Sequence, residues 1–225
     1  MAFAKTPGFS PLKTRLARTR GTLFAEEFYR LSVACTAEVL TRLRAKHNGV
    51  EVQWLFAEQK ADNHPFWQKP ELSLGPVQFQ AEGGLGERLD SAFQNNFLPG
   101  FGLGVLGTDL PQLSVSLLEK ALVALSTHAD VVIGPARDGG FYLLVTRVPI
   151  NTEIWKKVIY STKSTREQLI AQLNPLGRVE LLETLTDVDE EHDLQWAIAE
   201  LKLLAETEGL LPSQALLLEF LLRPA

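Results

Sequence analysis

Short apolar runs alternate with amphipathic stretches along this chain, and the alternation predicts an α/β fold: a Rossmann-type sandwich with a mainly parallel central sheet and helices on both faces. Three observations carry that expectation. Residues 50–57 (VEVQWLFA), 130–135 (DVVIGP) and 141–147 (FYLLVTR) read as strands. Between them, Phe24, Phe28, Leu31, Cys35 and Val39 recur at the three-to-four spacing of one helix face within residues 23–46. Residues 102–113 (GLGVLGTDLPQL) join a strand to a helix through a turn that carries an acid.

That last stretch organises the functional reading. Val105 and Leu106 suit a buried strand, which must stop by Pro111, because proline cannot donate to a sheet ladder. Ser114 is a good N-cap for the helical pattern SVSLLEKALVALSTH that follows. Asp109 therefore falls between a strand end and a helix start. In an open α/β sheet that is the carboxyl edge, where ligands bind. A carboxylate there can hold a metal ion; the plainer reading is that it only caps the turn.

The bulk numbers narrow the class. A chain of 225 residues with 45% hydrophobic and 22% charged residues is ordinary for one large globular domain. A net charge of −5 argues against nucleic-acid or anionic-membrane binding in general, although a local basic patch can still bind phosphate. The single cysteine, Cys35, excludes an internal disulfide and suits a reducing compartment. No signal peptide and no membrane-spanning apolar run is legible, so a cytoplasmic location is expected.

Taken in order, MAFAK is a short strand. The loop at residues 5–17 carries Gly8 and only positive charges, Lys5, Lys13 and Arg15, with Arg18 and Arg20 beyond. It is not a P-loop, since Leu12 stands where the glycine before Lys-Thr belongs. Its chemistry is similar: backbone N–H groups and cations can take a phosphate chain, or the loop is merely solvated. Asn48-Gly49 ends the first long helix, and residues 62–69 form a short helix broken by Pro65. Trp54 and Trp67 read as packing residues. A strand at 76–80 leads into the glycines Gly83, Gly84 and Gly86 and a helix to about Phe97. Arg137-Asp138-Gly139-Gly140 is a turn, in which Asp138 can serve the turn itself. Residues 164–173 are helical, with Ser164 as N-cap and Glu167 in the capping-box position. After a strand at 179–182, Asp187 and Asp189 precede a helix running to about Thr207, while Glu190 and Glu191 suit its positive end. The leucine-rich tail is expected to be a helix at 212–222, packed on the domain or on a second copy of the chain in a homodimer. The four histidines show no metal-ligand spacing.

Four segments, FAKTPGFSPLKTRLA, QAEGGLGERLDSAF, GTDLPQL with GPARDGGFYLL, and LTDVDEEHDL, resemble in this order a bacterial glycosyltransferase-like family of the nucleotide-diphospho-sugar transferase superfamily. The resemblance runs from Phe3 to about Leu204 and implies the GT-A fold, with a transferase domain at 1–208 and a helical tail at 209–225. The layout is also similar to that of cofactor and sugar-phosphate nucleotidyltransferases. That likeness implies Lys5, Lys13 and Arg15 on the phosphates, with Gly8 and Thr108 beside them. It implies Gln80, Gly84 and Gly86 at the base, and Asp138, Gly139 and Gly140 on the acceptor side. Asp109 and Asp189 match the positions that hold Mg²⁺ (or Mn²⁺), whereas Asp187 is expected to point elsewhere. Lys13, Arg15 and Asp109 are the expected catalytic residues.

Two function classes follow. One is a metal-dependent transferase using a nucleoside triphosphate or a nucleotide sugar, with a small phosphorylated or sugar acceptor. Nucleotidyl transfer is favoured by the basic loop, and glycosyl transfer by the family label. The alternative is a non-catalytic nucleotide-binding or regulatory module.

Overall fold

The computed structural model describes residues 1–223. Its strands are β1 (Ala2–Ala4), β2 (Trp54–Phe56), β3 (Val77–Phe79), β4 (Leu103–Leu106), β5 (Val131–Pro135), β6 (Phe141–Thr146) and β7 (Val179–Leu181). Its helices are α1 (Thr14–Arg20), α2 (Thr22–Lys46), α3 (Leu85–Asn96), α4 (Val115–Thr127), α5 (Thr152–Lys156), α6 (Thr165–Leu173), α7 (Glu191–Thr207) and α8 (Pro212–Leu222). This is an α/β fold in which the strand pairings are mainly parallel; the antiparallel ones are those of β6 with β4 and with β5. The chain divides into two compact units.

One unit comprises Gln80–Leu106 and Ser116–Leu185, with Met1. Its strands lie in the order β4-β6-β5-β7. β5 and most of β6 are buried, as their apolar runs require. Helix α3 packs Phe93 against Trp155 of α5, ring centroids 5.2 Å apart. Ser164 does precede α6, but its side chain makes no capping bond; its hydroxyl instead accepts from the Gln168 amide at 2.8 Å.

The other unit comprises Ala2–Phe79, Gly107–Val115 and the chain from Thr186 onward. Its three strands are parallel in the order β3-β2-β1, with Trp54 opposite both Ala2 and Val77. The run at 50–57 is strand only at Trp54–Phe56, with one backbone bond to β1 from each of Gln53 and Ala57, because both neighbouring strands are three residues long. Residues 62–69 do not form the expected helix; 3₁₀ turns stand at Ala61–Asn63 and Pro70–Leu72. Pro65 and Pro70 remove the backbone donors a continuous helix needs. In the reverse sense, the loop expected at 5–17 ends early, at Lys13. Leu16 is fully buried and anchors α1, while Arg18 and Arg20 suit its last turn.

Helix α8 folds within this second unit. Pro212 opens it, and Leu217 is fully buried in a cluster with Leu16, Phe28, Val188, Leu194 and Leu201. The Gln214 amide donates to the carbonyls of Pro111 and Leu113, each at 2.9 Å. Glu38 of α2 accepts the Ser213 N–H at 3.0 Å and its hydroxyl at 2.7 Å, so a carboxylate closes the helix start. Partial burial raises the Glu38 pKa, but the two Ser213 bonds and Arg42 outweigh it and hold it below the usual carboxylate value. Burial pushes the Cys35 thiol up to about 12, which makes it an inert core residue.

Two outcomes are expected. Leu217→Ala should lower the unfolding free energy by about 2–4 kcal/mol, and Leu216→Ala, at a half-exposed position, by far less; chemical denaturation reads both. A depressed carboxylate stabilises above its unfolded value and loses that contribution as pH falls through the folded one. Below about pH 4.3 the wild type should therefore lose stability more steeply than Glu38→Gln in thermal melts over pH 3–7.

Candidate functional site

The loop between β1 and α1 is tied down at several points. Tyr29 of α2 accepts the Lys5 N–H at 2.7 Å and donates to the Lys5 carbonyl at 2.8 Å. Burial, and then the nearby Asp109 charge, push the Tyr29 phenol above its usual pKa, so it keeps the proton that this bond needs. Glu58, two residues after β2, accepts the Thr6 N–H at 2.8 Å and the Ser10 hydroxyl at 2.6 Å. The Trp67 indole N–H donates to the Thr6 hydroxyl at 3.0 Å. Gly8 sits at φ 86 with open space where a Cβ would be, so the loop crest is bare backbone between fixed ends.

The loop ends at Lys13, whose backbone is left-handed at φ 44 and ψ 47. Its ammonium lies 2.7 Å from Asp109 Oδ2 and 3.8 Å from Asp187 Oδ1, and it donates to the Val188 carbonyl at 2.5 Å. The Lys13 side chain is 6% exposed, against 31% for Asp109. Burial lowers its pKa, but Asp109, Asp187, the Asp109 hydrogen bond and Asp189 outweigh it and hold Lys13 above the usual lysine value. The solvent access that Asp109 keeps lowers the cost of breaking the pair below that of a fully buried one.

Asp109 is fixed through its backbone. The Ser32 hydroxyl donates to the Thr108 carbonyl at 2.6 Å, Thr108 Oγ1 donates to the Phe3 carbonyl at 3.4 Å, and the Val188 N–H donates to the Asp109 carbonyl at 3.2 Å. Asp109 Oδ1 is buried with no hydrogen-bond partner. Next along, Arg15 meets Asp189 at 2.6 Å, but both side chains are about half exposed, so this pair contributes at most about 1 kcal/mol. Asp193 accepts the N–H groups of Asp189 and Glu190 at 3.0 and 2.8 Å and sets the turn into α7.

Lys5, Gly8, Lys13, Arg15, Thr108, Asp109 and Asp189 thus fall in one unit, where Lys13 is buried among acids rather than open on the loop. Asp187 does not point elsewhere as expected: it faces Lys13. Side chains two apart in an extended segment share a face, so Asp187 and Asp189 lie on one side and the fully buried Val188 on the other. Sequence reasoning passed over Glu58, although it stands just past a strand end, the same signal that singled out Asp109.

In the other unit, Gln80 is buried and accepts from Arg88 at 3.2 Å. Gly84 donates its N–H to Glu87 at 2.9 Å, and a Cβ on Gly86 would lie 2.6 Å from the Tyr160 ring. Asp138 accepts the Gly140 N–H at 2.8 Å, the turn role open to it from the start. Gly139, at φ 95, packs against the Lys163 carbonyl too closely for any side chain. Back in the unit that holds Lys13, Trp54 stacks on Phe56 and Trp67 tilts against it as packing residues, and the three line a cavity of about 310 Å³ that neither Lys13 nor Asp109 reaches.

The family described as "Uncharacterized protein conserved in bacteria" (DUF2064) matches residues 40–162. The chain belongs to that family. Among solved structures it is similar to a candidate nucleotide-diphospho-sugar transferase from Desulfovibrio desulfuricans, with 27% identity and a TM-score of 0.78 over 97% of this chain and 92% of that one. It shares its fold with 4-diphosphocytidyl-2C-methyl-D-erythritol synthase from Anaerococcus prevotii, at 11% identity and TM-score 0.53, over 89% and 97% of the two chains. No curated protein matches it in sequence. The expected GT-A-like fold is therefore the observed one. Among the described residues no helix is long and apolar enough to cross a membrane.

Glu58 is expected to govern the loop. Glu58→Gln removes the charge behind two hydrogen bonds, each worth about 1.5–3 kcal/mol. Amide exchange at Thr6 should speed up at least about tenfold while exchange in α2 stays unchanged.

Proposed function

We propose that this protein is a Mg²⁺-dependent (or Mn²⁺-dependent) transferase that uses a nucleotide-activated donor, with Lys13, Arg15 and Asp109 at the centre of its site. The observation that carries this reading is Asp109: a carboxylate set beside a basic, glycine-bearing loop, with one oxygen on Lys13 and the other buried and unsatisfied. A buried acceptor without a donor is costly, and a cation would satisfy it. Among the described residues no three His, Cys, Asp or Glu side chains form a closed metal site. Mg²⁺ needs none, since one or two carboxylates and the substrate's phosphates suffice.

Asp109 would hold the ion, with Asp189 as the second ligand that the resemblance implies and Asp187 as the one nearer Lys13. Bound there, Mg²⁺ would neutralise phosphate charge. The chain's own residues do the rest. With its flanks pinned by Glu58, Tyr29 and Trp67, the loop keeps the Gly8 N–H and the Lys5 ammonium for a phosphate chain. Arg15, half exposed, neutralises the departing phosphates. Transfer of this kind asks mainly for positioning and charge, and a phosphate acceptor needs no general base.

Nucleotidyl transfer from a nucleoside triphosphate fits the density of positive charge on the loop. The name of the Desulfovibrio neighbour favours the second reading, glycosyl transfer from a nucleotide sugar. Release of pyrophosphate marks the first, and release of a nucleoside mono- or diphosphate the second. In thermal-shift screening, the true donor at a hundredfold excess over its Kd should raise Tm by about 5–10 °C with Mg²⁺ present. Asp109→Asn should lose the Mg²⁺-dependent part of that shift and keep its fold. A donor panel that shifts Tm with no turnover would favour a regulatory module.

A further inference from the structure

We infer that Lys13 is a built-in counter-cation that keeps free divalent metal out of the acidic site, so that metal binds tightly only when a phosphate-bearing ligand draws the ammonium away. This rests on the transferase reading above and adds the order in which its ligands bind.

The Lys13 ammonium already has the surroundings of a bound cation. Asp109 Oδ2, the Val188 carbonyl and, farther out, Asp187 Oδ1 converge on it, an all-oxygen set of the kind that hard divalent ions take. The side chain is buried, not a solvated arm passing by. It holds this place on a left-handed backbone, a conformation uncommon for a residue with a side chain. A divalent ion entering Asp109 alone would meet a positive charge already hydrogen-bonded to the same carboxylate, and like charges this close repel strongly where water is scarce.

The substitution of an ammonium for a metal is also incomplete. One ammonium facing two carboxylates leaves net negative charge, and it leaves Asp109 Oδ1 unsatisfied. The site is therefore poised between two cations. A phosphate chain on the loop gives Lys13 a second set of acceptors close to its present one, because Lys13 is itself the last residue of that loop. Lys13 then turns from acid to phosphate, which frees the Asp109 oxygen that would hold a divalent ion. Metal and phosphate ligand must help each other bind, by the same factor in either direction.

Manganese is the probe, since its electron paramagnetic resonance signal reports free and bound ion without turnover. Wild-type protein should bind Mn²⁺ alone weakly. Lys13→Met should bind it at least about tenfold more tightly, and Lys13→Met/Asp109→Asn should lose that gain. Thermal melts give a second reading if Lys13→Met is fragile: its Tm should fall without metal and recover with Mn²⁺, while wild type barely responds. Lys13→Arg, which keeps the charge, should bind no more tightly than wild type. The inference is overturned if Lys13→Met binds Mn²⁺ no better than wild type, or if wild type already binds it as tightly as the variant. If nucleotide binding to wild type still depends on Mn²⁺ and on Asp109 in that case, the transferase reading survives. If Mn²⁺ binds to none of the proteins, with or without nucleoside triphosphate, both fall.

Discussion

One buried ammonium organises the acidic site. Lys13 draws Asp109, Asp187 and the Val188 carbonyl around a single point, where the loop after β1 meets the turn after β4 and the segment before α7. Two carboxylates brought together in a part-buried place would repel each other. The lysine makes their convergence tolerable. Those contacts tie the loop after β1 to the segment before α7.

The loop shows how a flexible sequence becomes a rigid cradle. Its glycine and prolines leave it no helix or ladder to settle into, so its backbone groups need partners elsewhere. Tyr29 takes both backbone groups of Lys5, and Glu58 takes the Thr6 N–H and the Ser10 hydroxyl. Trp67 closes on Thr6 from the aromatic cluster. These ties hold the loop's two flanks and spare the crest around Gly8, where a ligand would approach. Preorganisation of that kind removes an entropy cost from binding, since the ordering has already occurred on folding.

Helix α8 adds a structural counterpart. Its buried face is narrow: Gln214 and Leu217 are fully buried, while Leu216 and Leu222 are half exposed. Gln214 binds the carbonyls of Pro111 and Leu113, just past Asp109. The terminal helix therefore braces the turn that carries the site's central acid. Glu38 holds its first turn and Leu217 its middle, so it is fixed by a polar and an apolar contact of different kinds.

The fold class was legible in the chain because it rests on period alone: apolar runs for buried strands and three-to-four spacing for helices. Asp109 was legible for the same reason, since a strand end before a proline marks the carboxyl edge. Local pattern ran out where length or partners decided the outcome. Val50 to Val52 stayed outside β2 because the neighbouring strands are short. Residues 14–17 became helix because Leu16 found a core to enter. The role of each charge belonged to the tertiary structure alone. A lysine on a basic loop looks like a phosphate ligand in sequence, and nothing local says that its ammonium will be buried against acids nearly a hundred and more residues away. Electrostatic partners are set by distance in space, and a sequence carries only distance along the chain.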